Sequence, residues 1–277
     1  MDKHTVKLRL FGKLSIQRLI RSALLVYGVV GAWAYFYSDR LIFLPSPSSY
    51  TRSDDLTFLT TANNTQIAAL HLPNPTATYT ILYSHGNAED IGENRSRMEW
   101  MRDMGFSILI YDYPGYGLSG GKPSVPGTIQ AIDAAYAYLT ETLKIPGNRI
   151  IVYGRSVGGG PAVDLASRQP VAGLVVESSF TSTFRVKVPF PLFPFDKFPN
   201  QQKIQRVQSP VLIIHGDQDQ TIPFSQGQQL YQAAPGPKLS LWIPGGDHNN
   251  LLAIAGASYQ EKLQEFQDLI EQQPQQN

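Results

Sequence analysis

Short apolar runs alternate with longer stretches of helix-like periodicity along most of the chain. The apolar runs are rich in Val, Ile, Leu and Tyr and are bounded by turn-forming residues, which is typical of buried strands. The predicted strands are 40–45, 56–60, 66–72, 80–84, 106–111, 149–152, 171–176, 211–214 and 239–243. The intervening stretches predict helices at 94–104, 125–143, 161–166, 224–233 and 259–271.

The order of these elements predicts the fold class. Strands that alternate with helices form a mostly parallel sheet with helices on both faces, and the first pair, 56–60 and 66–72, predicts an antiparallel hairpin at its start. Without an internal repeat or a linker, we expect residues 39–271 to form one α/β domain. Within it, 178–209 is a short lid-like insert, and the glutamine-rich tail 272–277 is expected to be frayed.

An uncharged run at residues 22–38 stands apart from this pattern. Its seventeen residues are at the short end of what spans a hydrocarbon core as a helix, and aromatic residues crowd its carboxyl end, where an interfacial belt would lie. Basic residues are concentrated before it, at 1–21, so the positive-inside rule places the amino terminus in the cytoplasm and the rest of the chain on the non-cytoplasmic side. We therefore expect a single-pass membrane anchor with the lipid bilayer as a partner. A cleaved signal peptide, suggested by Ala32-Trp33-Ala34, and an amphipathic surface helix are the alternatives.

Composition narrows the classes of function. The net charge is +1, and because residues 1–21 hold six basic residues and one acidic residue, the remaining residues are mildly acidic. An acidic body argues against a nucleic-acid partner. The absence of cysteine excludes disulfides, a cysteine nucleophile and thiolate metal sites. The sequence has no metal-ligand spacing, phosphate loop or dinucleotide fingerprint, so we expect neither a metal nor a cofactor.

The stretch Gly154-Arg155-Ser156-Val157-Gly158 has the strongest chemical signal. It lies between a predicted strand and a predicted helix and matches the nucleophile-elbow pattern G-x-S-x-G. The turn in this pattern is so tight that Cβ atoms at the glycines would clash, and a strained backbone exposes the serine Oγ. The alternative is a glycine-rich turn in which the serine is a bystander.

A candidate acid and a candidate base follow in chain order. Ligands of such sheets bind beyond the carboxyl ends of the strands, where Asp219 and His248 follow the last two predicted strands. The order Ser156, Asp219, His248 is that of α/β-hydrolase triads. His248 would accept the Ser156 proton and return it to the leaving group, while Asp219 would orient the imidazole. The alternatives are Asp217 and Glu177 for the acid, and His71, His85 and His215 for the base.

Acyl transfer also requires hydrogen-bond donors for an oxyanion. One donor in this fold is the N–H after the nucleophile, here that of Val157, and the other comes from a loop after an earlier strand. That loop is His85-Gly86-Asn87, so the N–H of Asn87 is the second candidate; a plain helix-entry turn is the alternative interpretation. Asp112 is expected to be a structural cap of the loop that follows it.

The insert bears on the choice of substrate. Between residues 180 and 199 it combines many phenylalanines with four prolines, which makes a poor helix and an irregular apolar wall. One hypothesis is an acyl-chain groove in which Phe184, Phe190 and Phe193 contact the substrate. The other is a loop whose aromatic side chains cover the core.

Several motifs together support a resemblance to a known family. They are His85-Gly86-Asn87-Ala88, Tyr111-Asp112-Tyr113-Pro114-Gly115-Tyr116-Gly117, Gly154-Arg155-Ser156-Val157-Gly158, Phe195-Asp196-Lys197-Phe198-Pro199-Asn200, Ser209-Pro210-Val211-Leu212-Ile213-Ile214-His215-Gly216 and Gly246-Asp247-His248-Asn249. Over residues 41–270 the chain resembles the alpha/beta-hydrolase domain-containing proteins thirteen and seventeen, which are membrane-associated serine hydrolases. The resemblance implies the α/β-hydrolase fold, a triad of Ser156, Asp219 and His248, and hydrolysis of acyl esters or thioesters.

The amino terminus distinguishes the two branches of that family. The type-seventeen branch is associated with removing palmitate from protein cysteines, but this chain has no cysteine to be lipidated and has a hydrophobic run near its amino terminus, as in the type-thirteen branch. A palmitoylated protein is therefore only one of several substrates that the resemblance implies. A serine peptidase-like hydrolase and a non-catalytic, membrane-tethered binding protein on a hydrolase scaffold are the alternative functions.

Overall fold

The computed structural model describes residues 15–188 and 190–273. Most of the predicted basic segment, at 1–14, and the end of the predicted tail, at 274–277, lie outside the described residues. The chain divides into two compact units with the boundary between Leu41 and Ile42.

The amino-terminal unit contains the helix α1, Ile16–Tyr37. Ser15 caps it, because the Ser15 Oγ accepts a hydrogen bond from the Arg18 N–H at 3.3 Å. By length and composition α1 could cross a membrane, since its mean hydropathy is 1.5 and only 11% of its most apolar window is buried. A signal sequence near the amino terminus would have the same properties.

The second unit is built on one sheet. Its strands are β1 Leu56–Thr60, β2 Gln66–Leu72, β3 Thr80–Ser84, β4 Ser107–Tyr111, β5 Ile150–Arg155, β6 Gly173–Glu177, β7 Val211–Gly216 and β8 Lys238–Ile243. They lie in the order β1-β2-β4-β3-β5-β6-β7-β8. β1 and β2 form the predicted antiparallel hairpin, with Leu56 opposite Leu70, and β2 also pairs antiparallel with β4. The remaining pairings are parallel, so the carboxyl ends of these strands share one edge.

Helices cover both faces of this sheet. After α1 the chain forms α2 Asp39–Ile42, α3 Ile91–Asp103, α4 Val125–Ala137, α5 Gly159–Ala166, α6 Asn200–Lys203, α7 Phe224–Ala233, α8 Leu251–Ala255 and α9 Ala257–Glu271. One apolar cluster includes Ala131 of α4, Val163 of α5 and Leu230 of α7. The other includes Met98 of α3 and Phe266 of α9. The predicted α/β class, with a mostly parallel sheet and an antiparallel start, is confirmed.

The predicted strand at 40–45 is wrong. The chain instead forms α2 and then an extended segment that is held by a side chain rather than by a strand. Asn87 Nδ2 donates to the Ile42 carbonyl at 2.8 Å, and Asn87 Oδ1 accepts from the Leu44 N–H at 2.9 Å. A side-chain amide offers the same donor and acceptor as a peptide group, so this apolar run is satisfied without joining the sheet.

Candidate active site

Ser156 lies immediately after β5 and begins a 3-10 turn, Ser156–Gly158, that leads into α5. Its φ of +52° is in the left-handed region, which is strained for a residue with a side chain. A Cβ on Gly158 would lie 2.1 Å from the Ser84 carbonyl oxygen, and one on Gly154 would lie 2.4 Å from the Gly158 carbonyl oxygen. Only glycine permits such close backbone approaches, so the tight turn predicted from the glycine spacing is present.

His248 joins Ser156 to Asp219. His248 follows β8, and its Nε2 lies 3.0 Å from Ser156 Oγ. Its Nδ1 lies 2.8 Å from Asp219 Oδ2. With the Nδ1 proton directed at the carboxylate, Nε2 is left as an acceptor for the Ser156 hydroxyl proton. The structure thus brings the three residues together in the order nucleophile, base and acid, and all three are buried with at most 8% exposure.

The loop after β7 holds Asp219 as a charged carboxylate. Asp219 Oδ1 accepts hydrogen bonds from the N–H groups of Thr221 and Ile222, each at 2.8 Å. Burial opposes ionisation, but hydrogen bonds from His215, His248 and the Ile222 N–H outweigh it and hold the pKa of Asp219 well below its usual range. A carboxylate that stays ionised can stabilise an imidazolium on His248.

The two alternative acids hold other positions. Asp217 Oδ1 accepts a hydrogen bond from the Gly245 N–H at 2.8 Å and so closes a turn beside β8. Glu177 is fully buried, and Arg97 Nη1 donates to its Oε2 at 2.8 Å. Within the described residues, neither carboxylate hydrogen-bonds to His248.

The alternative bases lie away from the hydroxyl of Ser156. The ring of His85 packs on that of Tyr113, with the two centroids 4.2 Å apart. His215 Nε2 lies 3.0 Å from the Ile222 carbonyl oxygen, and His71 lies on β2 in the hairpin. In the part of the chain that the structure describes, none of the three histidines hydrogen-bonds to the Oγ of the serine in the elbow.

The two candidate oxyanion donors lie in loops that pack together. The N–H of Val157 is in the first turn of a 3-10 helix, where N–H groups lack intrahelical partners. Asn87 lies in the loop after β3, which also contains His85. The elbow packs so closely on this loop that a Cβ on Gly158 would lie 2.7 Å from the His85 carbonyl oxygen. The Asn87 side chain has a separate structural role, since its Oδ1 also accepts from Tyr116 Oη at 2.6 Å. The backbone N–H of Asn87 is thus the group to consider as a donor.

The insert begins beside the elbow. Ser179 Oγ donates to the Ser156 carbonyl at 2.8 Å, a contact that the sequence did not indicate. Phe184 and Phe193 pack with Phe195, and the rings of Phe193 and Phe195 stack with centroids 5.3 Å apart. Phe190 is 58% exposed.

Sequence reasoning also missed the role of Arg155. This arginine ends β5 and is 5% exposed, and its guanidinium donates to the His248 carbonyl at 3.2 Å. A charged residue at the end of an apolar strand is a signal that could have drawn attention to it, since buried charges require partners. Among the described residues, no group of three or more His, Asp or Glu side chains could hold a metal ion.

Comparison with known proteins identifies a matching family model and similar chains. Residues 75–193 match a family model described as Hydrolase_4, serine aminopeptidase, S33. The chain is 40% identical over 203 residues to the alpha/beta hydrolase domain-containing protein aho-3 of Caenorhabditis elegans, a match that spans 71% of this chain and 60% of the worm protein. It is 39% identical over 216 residues to the human alpha/beta hydrolase domain-containing protein 17B, covering 76% of this chain and 74% of that protein.

Solved structures of esterases share the fold. An esterase from Pyrococcus furiosus aligns with a TM-score of 0.66 at 20% identity, covering 82% of this chain and 98% of that one. Est1E from Butyrivibrio proteoclasticus, solved with ferulic acid bound, aligns with a TM-score of 0.64 at 18% identity and covers 76% of this chain and 99% of its own. The predicted α/β-hydrolase fold is confirmed.

Proposed function

We propose that this hydrolase cleaves acyl esters or thioesters through an acyl-serine intermediate. The chain belongs to the α/β-hydrolase superfamily. One observation carries the proposal: His248 contacts Ser156 Oγ at 3.0 Å and Asp219 Oδ2 at 2.8 Å. A nucleophile, a base and an orienting carboxylate at hydrogen-bonding distance are the parts that acyl transfer requires.

The proposed reaction proceeds in two halves. Ser156 Oγ attacks the acyl carbonyl carbon while His248 Nε2 takes the hydroxyl proton, and Asp219 stabilises the resulting imidazolium. The tetrahedral intermediate collapses by breaking the bond to the alcohol oxygen or thiol sulfur, which receives the proton from His248. Water then attacks the acyl-Ser156 ester with His248 again as base, and the carboxylic acid leaves as Ser156 recovers its proton.

Charge on the carbonyl oxygen would be stabilised by backbone donors. The N–H groups of Val157 and Asn87 are our candidates, because the elbow and the loop after β3 pack against each other. The aromatic cluster of Phe184, Phe193 and Phe195 supports an apolar acyl group, with Phe190 as an exposed further contact. Removal of a fatty acyl group from a protein cysteine is one reaction within this proposal.

A peptidase-type reaction is the second candidate. The description of the matching family model, serine aminopeptidase, favours it. The same three residues can cleave an amide, but the amine leaving group then depends on protonation by His248 more strongly than a thiol or an acidic alcohol does. We therefore place esters and thioesters first.

Alanine at position 156 tests the proposal directly. We expect the wild-type chain to react covalently with a fluorophosphonate probe and to hydrolyse p-nitrophenyl esters, and Ser156→Ala to lose both activities, with kcat falling by at least about a thousandfold. A panel of acyl esters, acyl thioesters and aminoacyl amides of increasing chain length ranks the substrate classes. Faster cleavage of amides than of esters and thioesters would favour the peptidase alternative.

Ser209→Ala is the matched control for this substitution. Ser209 Oγ is buried and has no hydrogen-bond partner among the described residues, so its removal should leave both activities unchanged. Equal activity of Ser156→Ala and Ser209→Ala would overturn the assignment of the nucleophile. Absence of probe labelling in the wild type would point to the non-catalytic binding protein instead.

We also propose that α1 is a single-pass anchor with its amino terminus in the cytoplasm and the hydrolase domain on the other side. At 1.5 Å per residue its 22 residues extend about 33 Å, which matches the hydrocarbon core of a bilayer. Trp33 and Tyr37 lie at its carboxyl end, where interfacial aromatics are common. A cleaved signal peptide is the competing proposal and also exports the domain.

Translation of the full chain with microsomes tests both parts. The chain should stay in the membrane pellet after alkaline carbonate extraction, whereas cleavage of a signal peptide would release a shorter product. Asn63-Asn64-Thr65 is an N-glycosylation acceptor on an exposed turn, so a lumenal domain should gain a glycan that Asn63→Gln removes. An unglycosylated, carbonate-resistant product would reverse the proposed orientation.

A further inference from the structure

Arg155 contacts two of the loops that surround Ser156 and the end of the neighbouring strand β6. Its Nη2 donates to the His248 carbonyl at 3.2 Å and to Asn249 Oδ1 at 2.6 Å. Its Nη1 donates to Glu89 Oε1 in an ion pair, and its Nε lies 3.5 Å from Glu177 Oε1. These partners belong to the loop after β8, the loop after β3 and the end of β6.

The contact with Glu89 extends to the candidate oxyanion loop. The second carboxylate oxygen of Glu89 accepts a hydrogen bond from the Gly86 N–H at 3.0 Å and another from Asn94 Nδ2 at 3.3 Å. Gly86 directly precedes Asn87, whose N–H is our second oxyanion donor. Arg155 therefore holds the Glu89 carboxylate in place, and that carboxylate in turn holds the Gly86 backbone next to the Asn87 N–H.

The contacts with His248 and Asn249 act on the base. Arg155 binds the backbone carbonyl of the residue that carries the imidazole and the side chain of the residue after it. A guanidinium can bind several acceptors at once because it is planar and has five N–H donors in a fixed geometry. A lysine at this position would keep the charge but could not span the same acceptors.

The surroundings of Arg155 compensate its charge. Arg155 and Arg97 are the cations of the cluster, and Glu89 and Glu177 are its anions. Glu177 is fully buried and pairs with both arginines. Such balance is needed because an unpaired buried charge is strongly destabilising.

We propose that Arg155 is a positioning residue for two loops beside Ser156. It fixes the loop after β8, which carries His248, and the loop after β3, which carries Asn87. This inference rests on the proposed hydrolase function for its catalytic consequence, but the positioning itself can be measured without a substrate. Arg155 does not touch the reacting atoms in this proposal, and it acts through His248 and through Glu89.

The first measurement is amide hydrogen exchange on the full chain. In Arg155→Met we expect exchange at residues 245–250 and 86–89 to be at least about tenfold faster than in the wild type, because the bonds that hold both loops are lost. Arg97→Met is the matched control, since it removes the other arginine that pairs with Glu177 but contacts neither loop. It should destabilise the domain globally and leave the relative protection of these two loops unchanged.

The second measurement is the division of the effect between kcat and KM on a p-nitrophenyl ester. A displacement of the base by about 1 Å costs about a hundredfold, so we expect that loss in kcat for Arg155→Met with KM changed by less than about threefold. Arg155→Lys should recover about tenfold of the loss, because it restores the charge but not the planar fork. Arg97→Met should keep kcat within about twofold per folded molecule, since the Arg155 contacts remain.

Asn249→Ala keeps the test decisive if Arg155→Met does not fold. Asn249 is exposed, so its truncation removes one Arg155 contact without disturbing the buried ion pairs. We expect a loss in kcat of about fivefold and faster exchange at 245–250 alone. Unchanged exchange and kcat in Arg155→Lys and Asn249→Ala would overturn the positioning role. Faster exchange in a chain whose wild type lacks esterase activity would instead support positioning and contradict the proposed function.

Discussion

Two buried carboxylic acids lie at the carboxyl edge of the sheet, Glu177 at the end of β6 and Asp112 just after β4. Both are 0% exposed, and both lie at the edge where this fold places catalytic acids. Their neighbours differ. Glu177 faces Arg97, whose Nη1 donates at 2.8 and 3.1 Å, and it also accepts from Tyr259 Oη at 2.6 Å.

Asp112 lacks such a cation. It accepts hydrogen bonds from the Tyr50 hydroxyl and, at 2.9 Å, from the Ile91 N–H. The one basic side chain within 4.0 Å of it in the described residues is His85, at 3.5 Å, and burial lowers the pKa of His85 to about 4. His85 is therefore neutral at physiological pH and does not compensate a charge on Asp112.

The difference in neighbours separates the two pKa values. Burial opposes ionisation of Glu177, but the positive charges of Arg97 and Arg155 outweigh it and lower the pKa to about 2. Burial raises the pKa of Asp112 to about 7, and the charge of Asp90 adds to this while the Tyr50 hydrogen bond opposes it. Equal burial thus produces opposite protonation states at pH values below 7 and above 2, and the presence of a paired cation decides between them.

Neutral amides at the two positions should have very different effects on stability. Glu177→Gln leaves Arg97 without its buried anion, and breaking a buried ion pair in this way costs about 4 kcal/mol of the free energy of unfolding. Asp112→Asn at pH 6 replaces a carboxyl that is already protonated, so we expect a loss of about 1 kcal/mol. Urea unfolding of the wild type and both variants at pH 6 gives the two losses.

The two variants serve as controls for each other, since each removes one carboxylate of the same sheet edge. Equal losses would mean that the cations around Glu177 do not distinguish it from Asp112. A larger loss for Asp112→Asn would reverse the comparison and indicate that Asp112 is charged in the folded protein.

The sheet was predictable because local signals and the fold agree along most of its length. β1, β2 and β3 have the predicted bounds, since each is an apolar run ended by turn residues. The helix α3 begins at Ile91 rather than at 94, because Asp90 caps it by accepting from the Glu93 N–H, a start signal that the apolar pattern alone does not reveal. The prediction of a strand at 40–45 was wrong because the backbone of this segment is bound by the side chain of Asn87, which is distant in sequence.

The candidate site was predictable only in part for the same reason. Ser156, Asp219 and His248 each follow a strand, and parallel strands bring such positions to one edge, so chain order and strand ends were sufficient to bring the three together. The contacts of Arg155 could not be anticipated in this way. They join residues 89, 177 and 249, which no spacing rule connects, and their geometry depends on how the loops after β3 and β8 pack against the ends of β5 and β6.

The pH dependence of stability offers a finer test of the comparison. Between about pH 4 and pH 7 the unfolded chain has released the Asp112 proton while the folded chain retains it, so this group lowers stability as pH rises. The wild type should therefore lose about 3 kcal/mol relative to Asp112→Asn between pH 5 and pH 8, measured as the difference in free energy of unfolding. Glu177 behaves in the opposite sense, because its pKa is lowered to about 2, and its contribution is lost only as pH falls below the unfolded value near 4. The difference between wild type and Glu177→Gln should accordingly stay constant from pH 5 to pH 8. Parallel curves for the wild type and Asp112→Asn over this range would show that Asp112 is ionised throughout, and that burial without a cation does not hold its proton.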